Sequence, residues 1–296
     1  MKQSFQPILF FSLLATSCLA ADSKPKGEPQ FPADVRVERS VAFLPEGRKE
    51  KADLYFPLTM AKEAKLPAVV LIHGGGWVSG RRDAEREINI GTTLARNGYI
   101  AMSIDYLLSD KKQAVWPTNL WDCKTAVRWL RKNGARFNVD PERIGVIGGS
   151  AGGHLAAMVA LTTPADGLDP AAPYGDVSCA VKCCVDLYGI ADIGTYHDVT
   201  MLGKTFAEAP ELYRRASPVT YVRSNSVPFL LLHGTADQTV NLEQSKLLAR
   251  KLEEFGVSPN LVIVTNAPHT FHLTSTPQDL RPVVLAFLTA HLASHR

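Results

Sequence analysis

The sequence has no excess of charge of one sign: 32 Lys and Arg stand against 29 Asp and Glu in 296 residues. Nothing in that balance suggests a nucleic acid or an anionic membrane as partner. Long apolar runs are also missing. The run nearest the N-terminus, residues 8–14, is too short for a stable membrane span. Cysteine is scarce, five in all, and no Cys-x-x-Cys pair suggests a metal site. No internal repeat is visible, which excludes a solenoid. What remains is an ordinary globular composition, 46% apolar and 21% charged, in a chain long enough to bury one large core.

The N-terminus stands apart. Lys2 precedes the apolar 8–14 stretch, and small residues follow, ending Cys18-Leu19-Ala20. This pattern predicts a signal peptide over residues 1–20 and export to the periplasm or outside the cell. Cys18 also admits a lipoprotein reading, weakened by Ala15 where a large aliphatic residue is usual. Residues 21–32 are polar and proline-containing and read as a flexible tail, which leaves 33–296 as a single domain. An oxidising compartment permits disulfides. Cys183 and Cys184 are neighbours on an expected strand, so their side chains point to opposite faces. Cys123 falls on an expected helix, 122–133. One bridge involving Cys179 and four buried free thiols both fit this pattern.

Two glycine motifs carry the chemistry. Gly148-Gly149-Ser150-Ala151-Gly152 matches G-x-S-x-G, a sharp strand-to-helix turn that exposes a nucleophilic serine. The context is right: β-formers at 144–147 precede it, and an all-apolar stretch at 151–161 that reads as a core helix follows. Upstream, the apolar run 68–72 ends in His73-Gly74-Gly75-Gly76-Trp77, an HGGG-type loop whose backbone N–H groups can face an oxyanion. Gly75, Gly76 and Ala151 are the expected donors, and His73 is expected to brace the loop. A phosphate loop would need a following Lys-Ser/Thr, which is absent.

The acid and base should follow in the order Ser, Asp or Glu, His. Asp237 lies just past an expected strand at 228–233. His269 lies just past another at 261–264, with helix 242–255 between them. His269 is therefore the expected general base and Asp237 its partner. His272 competes with His269, and Asp186 and Asp192 compete with Asp237. For both aspartates the plainer role is structural hydrogen bonding. Trp77, Trp116 and Tyr188 are candidate pocket walls, each equally readable as a core aromatic. The connections 162–175 and 190–226 are expected to line the pocket.

Strands and helices alternate along most of the chain, after an edge hairpin at 35–43 and 51–56. A final helix is expected at 278–295. The class this predicts is α/β, a mostly parallel sheet with helices on both faces.

On these motifs, and on the stretches 99–106, 122–131, 140–153, 185–189 and 229–240, the chain resembles the α/β-hydrolase superfamily. Within it, the chain resembles the hormone-sensitive-lipase-like and bifunctional feruloyl and acetyl xylan esterases. The resemblance covers nearly everything from about residue 35 onward. It implies the α/β-hydrolase fold and a serine carboxylesterase; with the leader read above the enzyme is expected to be secreted, and no cofactor or metal is expected. The implied substrates are short-chain acyl esters, acetyl above all, on plant or algal polysaccharides. The alternative is a generalist carboxylesterase or lipase acting on small esters or lipids. Three departures concern the substrate rather than the reaction. Leu107 follows Asp105-Tyr106 where the group has Arg. Pro268-His269-Thr270-Phe271 replaces a Gly-His-Gly-Phe pattern. No helical N-terminal cap is evident.

Overall fold

The computed structural model describes residues 29–59, 65–110, 113–196, 198–274 and 278–294. The expected leader, Cys18 and the tail as far as residue 28 lie outside these. From Phe31 onward the chain is organised around one eight-stranded sheet. The strands are β1 Val35–Val41, β2 Ala52–Pro57, β3 Leu66–Ile72, β4 Ile100–Ile104, β5 Val139–Gly149, β6 Cys184–Leu187, β7 Phe229–Gly234 and β8 Asn260–Val264. Their spatial order is β1-β2-β4-β3-β5-β6-β7-β8. The hairpin β1–β2 joins β4 antiparallel, and every later pairing is parallel.

The helices are α1 Glu85–Arg96, α2 Thr118–Lys132, α3 Gly134–Phe137, α4 Ala151–Leu161, α5 Pro210–Arg215, α6 Glu243–Glu254 and α7 Arg281–Leu292. They cover both faces, as the strand–helix alternation predicts. Leu120, Val127 and Leu130 of α2, Leu155 and Met158 of α4, and Leu248 and Leu252 of α6 join one core cluster. Leu94 of α1 and Val284 and Leu288 of α7 join the other. Strand residues alternate between them: Val70 belongs to the first, Val69 and Leu71 to the second. The central strands are continuous apolar runs because both faces are buried. Each fully buried Leu or Val contributes about 1.5–3 kcal/mol.

Boundaries differ from expectation in places. The strand expected at 180–187 is only Cys184–Leu187, although the Lys182 N–H still reaches Ile144 O (2.8 Å). Helix α2 begins at Thr118 rather than 122. Pro117, which has no N–H to satisfy, stands at its N-cap. Helix α7 is shorter than 278–295 and starts with Pro282 in its first turn. Cys183 and Cys184 do point into opposite clusters, and all four described cysteines are buried free thiols. Among the described residues no helix is long and apolar enough to cross a membrane.

Candidate active site

The parallel strands β3, β5, β6, β7 and β8 all end on one edge of the sheet, and the candidate residues collect there. Ser150 immediately follows β5 and precedes α4. Its backbone is left-handed, φ 57° and ψ −124°, and its N–H donates to Leu187 O on the neighbouring strand (2.9 Å). So tight a turn tolerates no side chain at its flanks. A Cβ at Gly148 would overlap the Gly152 carbonyl, and one at Gly152 would overlap the Ile72 carbonyl.

Ser150 Oγ donates to His269 Nε2 (2.9 Å), and His269 Nδ1–H donates to Asp237 Oδ2 (2.6 Å). The other carboxylate oxygen of Asp237 accepts from the N–H groups of Thr239 (2.8 Å) and Val240 (2.9 Å). The carboxylate is fully buried. It is therefore fixed in place and aimed at one histidine. His272 is half-buried, and among the described residues it bonds neither Ser150 nor Asp237. Asp186 and Asp192 do not bond His269. Asp186 is buried beneath α4, where its Oδ1 accepts the Gly189 N–H (2.8 Å), and burial pushes its pKa up to about 7. Asp192 caps a short turn by accepting from the Gly194 N–H (2.9 Å).

The glycine loop lies against Ser150: a Cβ at Gly74 would stand 3.3 Å from Ser150 Cβ. Gly75, Gly76 and Trp77 have successive φ of 115°, 61° and 60°. The N–H groups of Val78 (3.1 Å) and Ser79 (3.0 Å) close the turn onto Gly75 O. Successive N–H groups in a turn can form an anion-binding concavity. Among the described residues, the N–H groups of Gly75, Gly76 and Ala151 donate to no other group. His73 braces the loop from behind, stacked on Tyr106 (4.4 Å), with Nδ1 at 2.7 Å from Gly74 O.

Trp77 borders a cavity of about 580 Å³ with Gly76, Tyr196, Asp198, Val199 and Thr200. A smaller cavity of about 320 Å³ shares Asp110, Asp198, Val199 and Thr200 with it and adds Gln113, Lys204, Thr205 and Glu208. The larger cavity, beside the loop, is mostly apolar, and the smaller one has the greater polar share. The 190–226 connection supplies much of the cleft's wall. The 162–175 connection does not: it lines a separate cavity with Ser178, Cys179 and Arg223. It leaves the far end of α4, and eleven helical residues place that end about 16 Å from Ser150.

Tyr188 is a correction. It is fully buried, edge-on to His269 (4.8 Å), and its hydroxyl donates to Phe271 O (3.3 Å). It packs against His269 from within the interior and does not face the cleft. Trp116 is half-buried, 6.1 Å from the ring of His154, and lines none of these cavities.

Four further polar residues around the site were not anticipated from the sequence. Arg86 pairs with adjacent Glu87 in the interior and donates to the Tyr188 hydroxyl (2.9 Å), beneath Gly149. His233 Nε2 donates to Val240 O (2.9 Å), with Asp237 Oδ2 at 3.3 Å, and Nδ1 accepts from Ser245 (2.7 Å). Burial holds its pKa below the usual histidine value. His154 and Tyr196 complete the set. The available signal was a polar residue inside an otherwise apolar element, as at His154 and His233. Among the described residues no group of three or more His, Cys, Asp or Glu side chains could hold a metal ion.

Residues 52–252 match the BD-FAE family. Esterase LipQ of Mycobacterium tuberculosis is 30% identical over 248 residues, covering 80% of this chain and 58% of LipQ. The chain spans about half the length of the curated relatives it matches. Among solved structures, a truncated carbohydrate esterase from gut microbiota superposes with a TM-score of 0.80 at 24% identity, over 92% of this chain and all (100%) of that one. A native thermophilic esterase, Est2, from the Planctomycetes species Thermogutta terrifontis gives a TM-score of 0.71 at 25% identity, over 89% and 95% of the two chains. The fold is that of the α/β-hydrolases.

Proposed function

We propose, from the premise that the chain belongs to the BD-FAE family, that it is a serine carboxylesterase acting through an acyl-enzyme. The observation that carries this reading is the continuous hydrogen-bonded chain from Ser150 Oγ through His269 to Asp237. In the first half-reaction His269 Nε2 takes the Ser150 proton as Oγ attacks the ester carbonyl carbon. The oxyanion that forms is stabilised by the N–H groups of Gly75, Gly76 and Ala151, at the positive end of α4. His269 then returns the proton to the departing alcohol, leaving an acyl group on Ser150. In the second half-reaction water, deprotonated by His269, releases the acid and restores the serine. Asp237 fixes the Nδ1–H tautomer and stabilises the imidazolium without itself being protonated.

The substrates we propose are short acyl esters, acetyl above all, on plant or algal polysaccharides met outside the cell or in the periplasm. The cleft supports this. Its near part is bordered by Trp77, Tyr196 and Val199. Asp198 and Thr200 border both parts, and the outer part adds Gln113, Lys204, Thr205 and Glu208. Such an arrangement suits an alcohol rich in hydroxyl groups. Export rests on the leader read at residues 1–20, and mass spectrometry of exported protein should find an N-terminus near Ala21.

The test is acetate release from acetylated xylan oligosaccharides, with Ser150→Ala as blank. Release by the wild type alone supports polysaccharide deacetylation. No release, with p-nitrophenyl butyrate still cleaved, moves the substrate to small esters or lipids.

A further inference from the structure

Helix α4 carries one polar side chain beyond its opening glycines, His154, and it is completely buried. Its N–H donates to Ser150 O (3.0 Å), so it sits one turn past the nucleophile. The ring touches two groups whose hydrogen-bonding roles are fixed. Nε2 lies 2.7 Å from Ala216 O, a carbonyl that can only accept, so Nε2 carries the proton. Nδ1 lies 3.2 Å from Trp77 Nε1, an indole that can only donate, so Nδ1 is the acceptor. The ring is therefore neutral and its tautomer is determined. Burial, which pushes its pKa down to about 4, agrees.

Trp77 is the third of the three consecutive positive-φ residues in the glycine loop, and it has no glycine's freedom to adopt that conformation. Two contacts hold it there: its carbonyl accepts from the Ser109 N–H (2.8 Å), and its indole is pinned edge-on to His154, with ring centres 5.2 Å apart.

We propose that His154 is a positioning residue for the oxyanion loop. By accepting the Trp77 indole N–H, it ties the left-handed 75–77 turn to the same helix that presents Ser150. The loop donors and the nucleophile are thereby held as one rigid unit. This inference rests on the esterase reading above.

The test uses the full chain and p-nitrophenyl butyrate. Trp77→Phe deletes the N–H and keeps an aromatic ring. His154→Leu deletes the acceptor. His154→Asn keeps an acceptor near the Nδ1 position. If loosening the loop weakens one or more oxyanion contacts, kcat should fall about 10- to 100-fold in Trp77→Phe and His154→Leu. KM should stay within about twofold, as expected when only the transition state loses an interaction. The affinity of a trifluoromethyl ketone, which forms an oxyanion on the serine, should fall by the same factor. His154→Asn should recover most of kcat. Two results would overturn the inference. One is a Trp77→Phe enzyme with wild-type kcat. The other is a kcat loss that follows thermal stability while ketone affinity is unchanged. Wild-type turnover of the ester decides the esterase reading, and the ratio of variant to wild type decides this one.

Discussion

Inside the sheet and just beyond its C-terminal edge, the same strands obey different rules. Between Ala68 and Ile72, and between Phe229 and His233, every residue is buried and apolar but for His233, and the backbone stays in ordinary extended geometry. Just past the strand ends, Trp77, Ser150, Tyr188, Asn266 and Thr270 take φ of 60°, 57°, 47°, 59° and 61°. These are five of the eight non-glycine residues with positive φ among the described residues. The other three, Ser40, Asn138 and Tyr174, lie away from these loops. Each such residue costs on the order of 1–3 kcal/mol. The buried sheet can offset that cost, and the strain falls where side chains must be held in one orientation. The edge is therefore a rigid frame for the residues we assign to catalysis, supported by a relaxed core.

The comparison is sharpened most by variants at the edge. Ser150→Ala, His269→Ala and Asp237→Asn should each lower kcat about 10⁴- to 10⁶-fold, with unfolding midpoints near wild type. His272→Ala should retain turnover. A His269→Ala enzyme with near-normal kcat would break the assignment.

Asp186 sits where the two regions meet, at the end of β6 beneath α4. Burial raises its pKa from 3.8 to about 7, partly offset by the Gly189 N–H. The folded state thus binds its proton more tightly than the unfolded chain, and this residue's contribution falls as pH rises from about 4 to about 7. Asp186→Asn keeps an acceptor for Gly189 and removes the titration. Urea unfolding should find the variant equal to wild type near pH 4 and more stable at pH 8, by up to about 4 kcal/mol. A difference that does not vary with pH would contradict the cause given.

In the core, Leu130→Ala on α2 should cost about 3 kcal/mol of stability and leave kcat per folded molecule unchanged. The smallest effect is expected at Asn138, the left-handed C-cap of α3. Asn138→Gly should change stability by less than about 1 kcal/mol and activity not at all, because this strain lies outside the edge. Matched thermal melts and esterase assays check both.

The sequence carried these two regions unequally. The core was legible because burial on both faces of a parallel strand demands a continuous apolar run, a local property. The elbow was legible because Gly148 and Gly152 leave no room for a side chain, so the motif is itself the steric requirement. Proximity to a strand end favoured His269 over His272, but the meeting of Nε2 with Ser150 spans 119 residues and belongs to the fold. Tyr188 read as a pocket wall, because nothing local shows that Arg86, 102 residues away, holds its hydroxyl inward. Trp77 gave no sign of its left-handed backbone, since the group that anchors it, His154, is 77 residues distant.

The most direct test of the central claim is reaction with an aryl phosphonate, read by intact mass and peptide mapping. The account predicts one adduct per chain, on Ser150, with the rate falling at least 10³-fold in His269→Ala. No adduct, an adduct elsewhere, or equal labelling of the His269→Ala protein would contradict it.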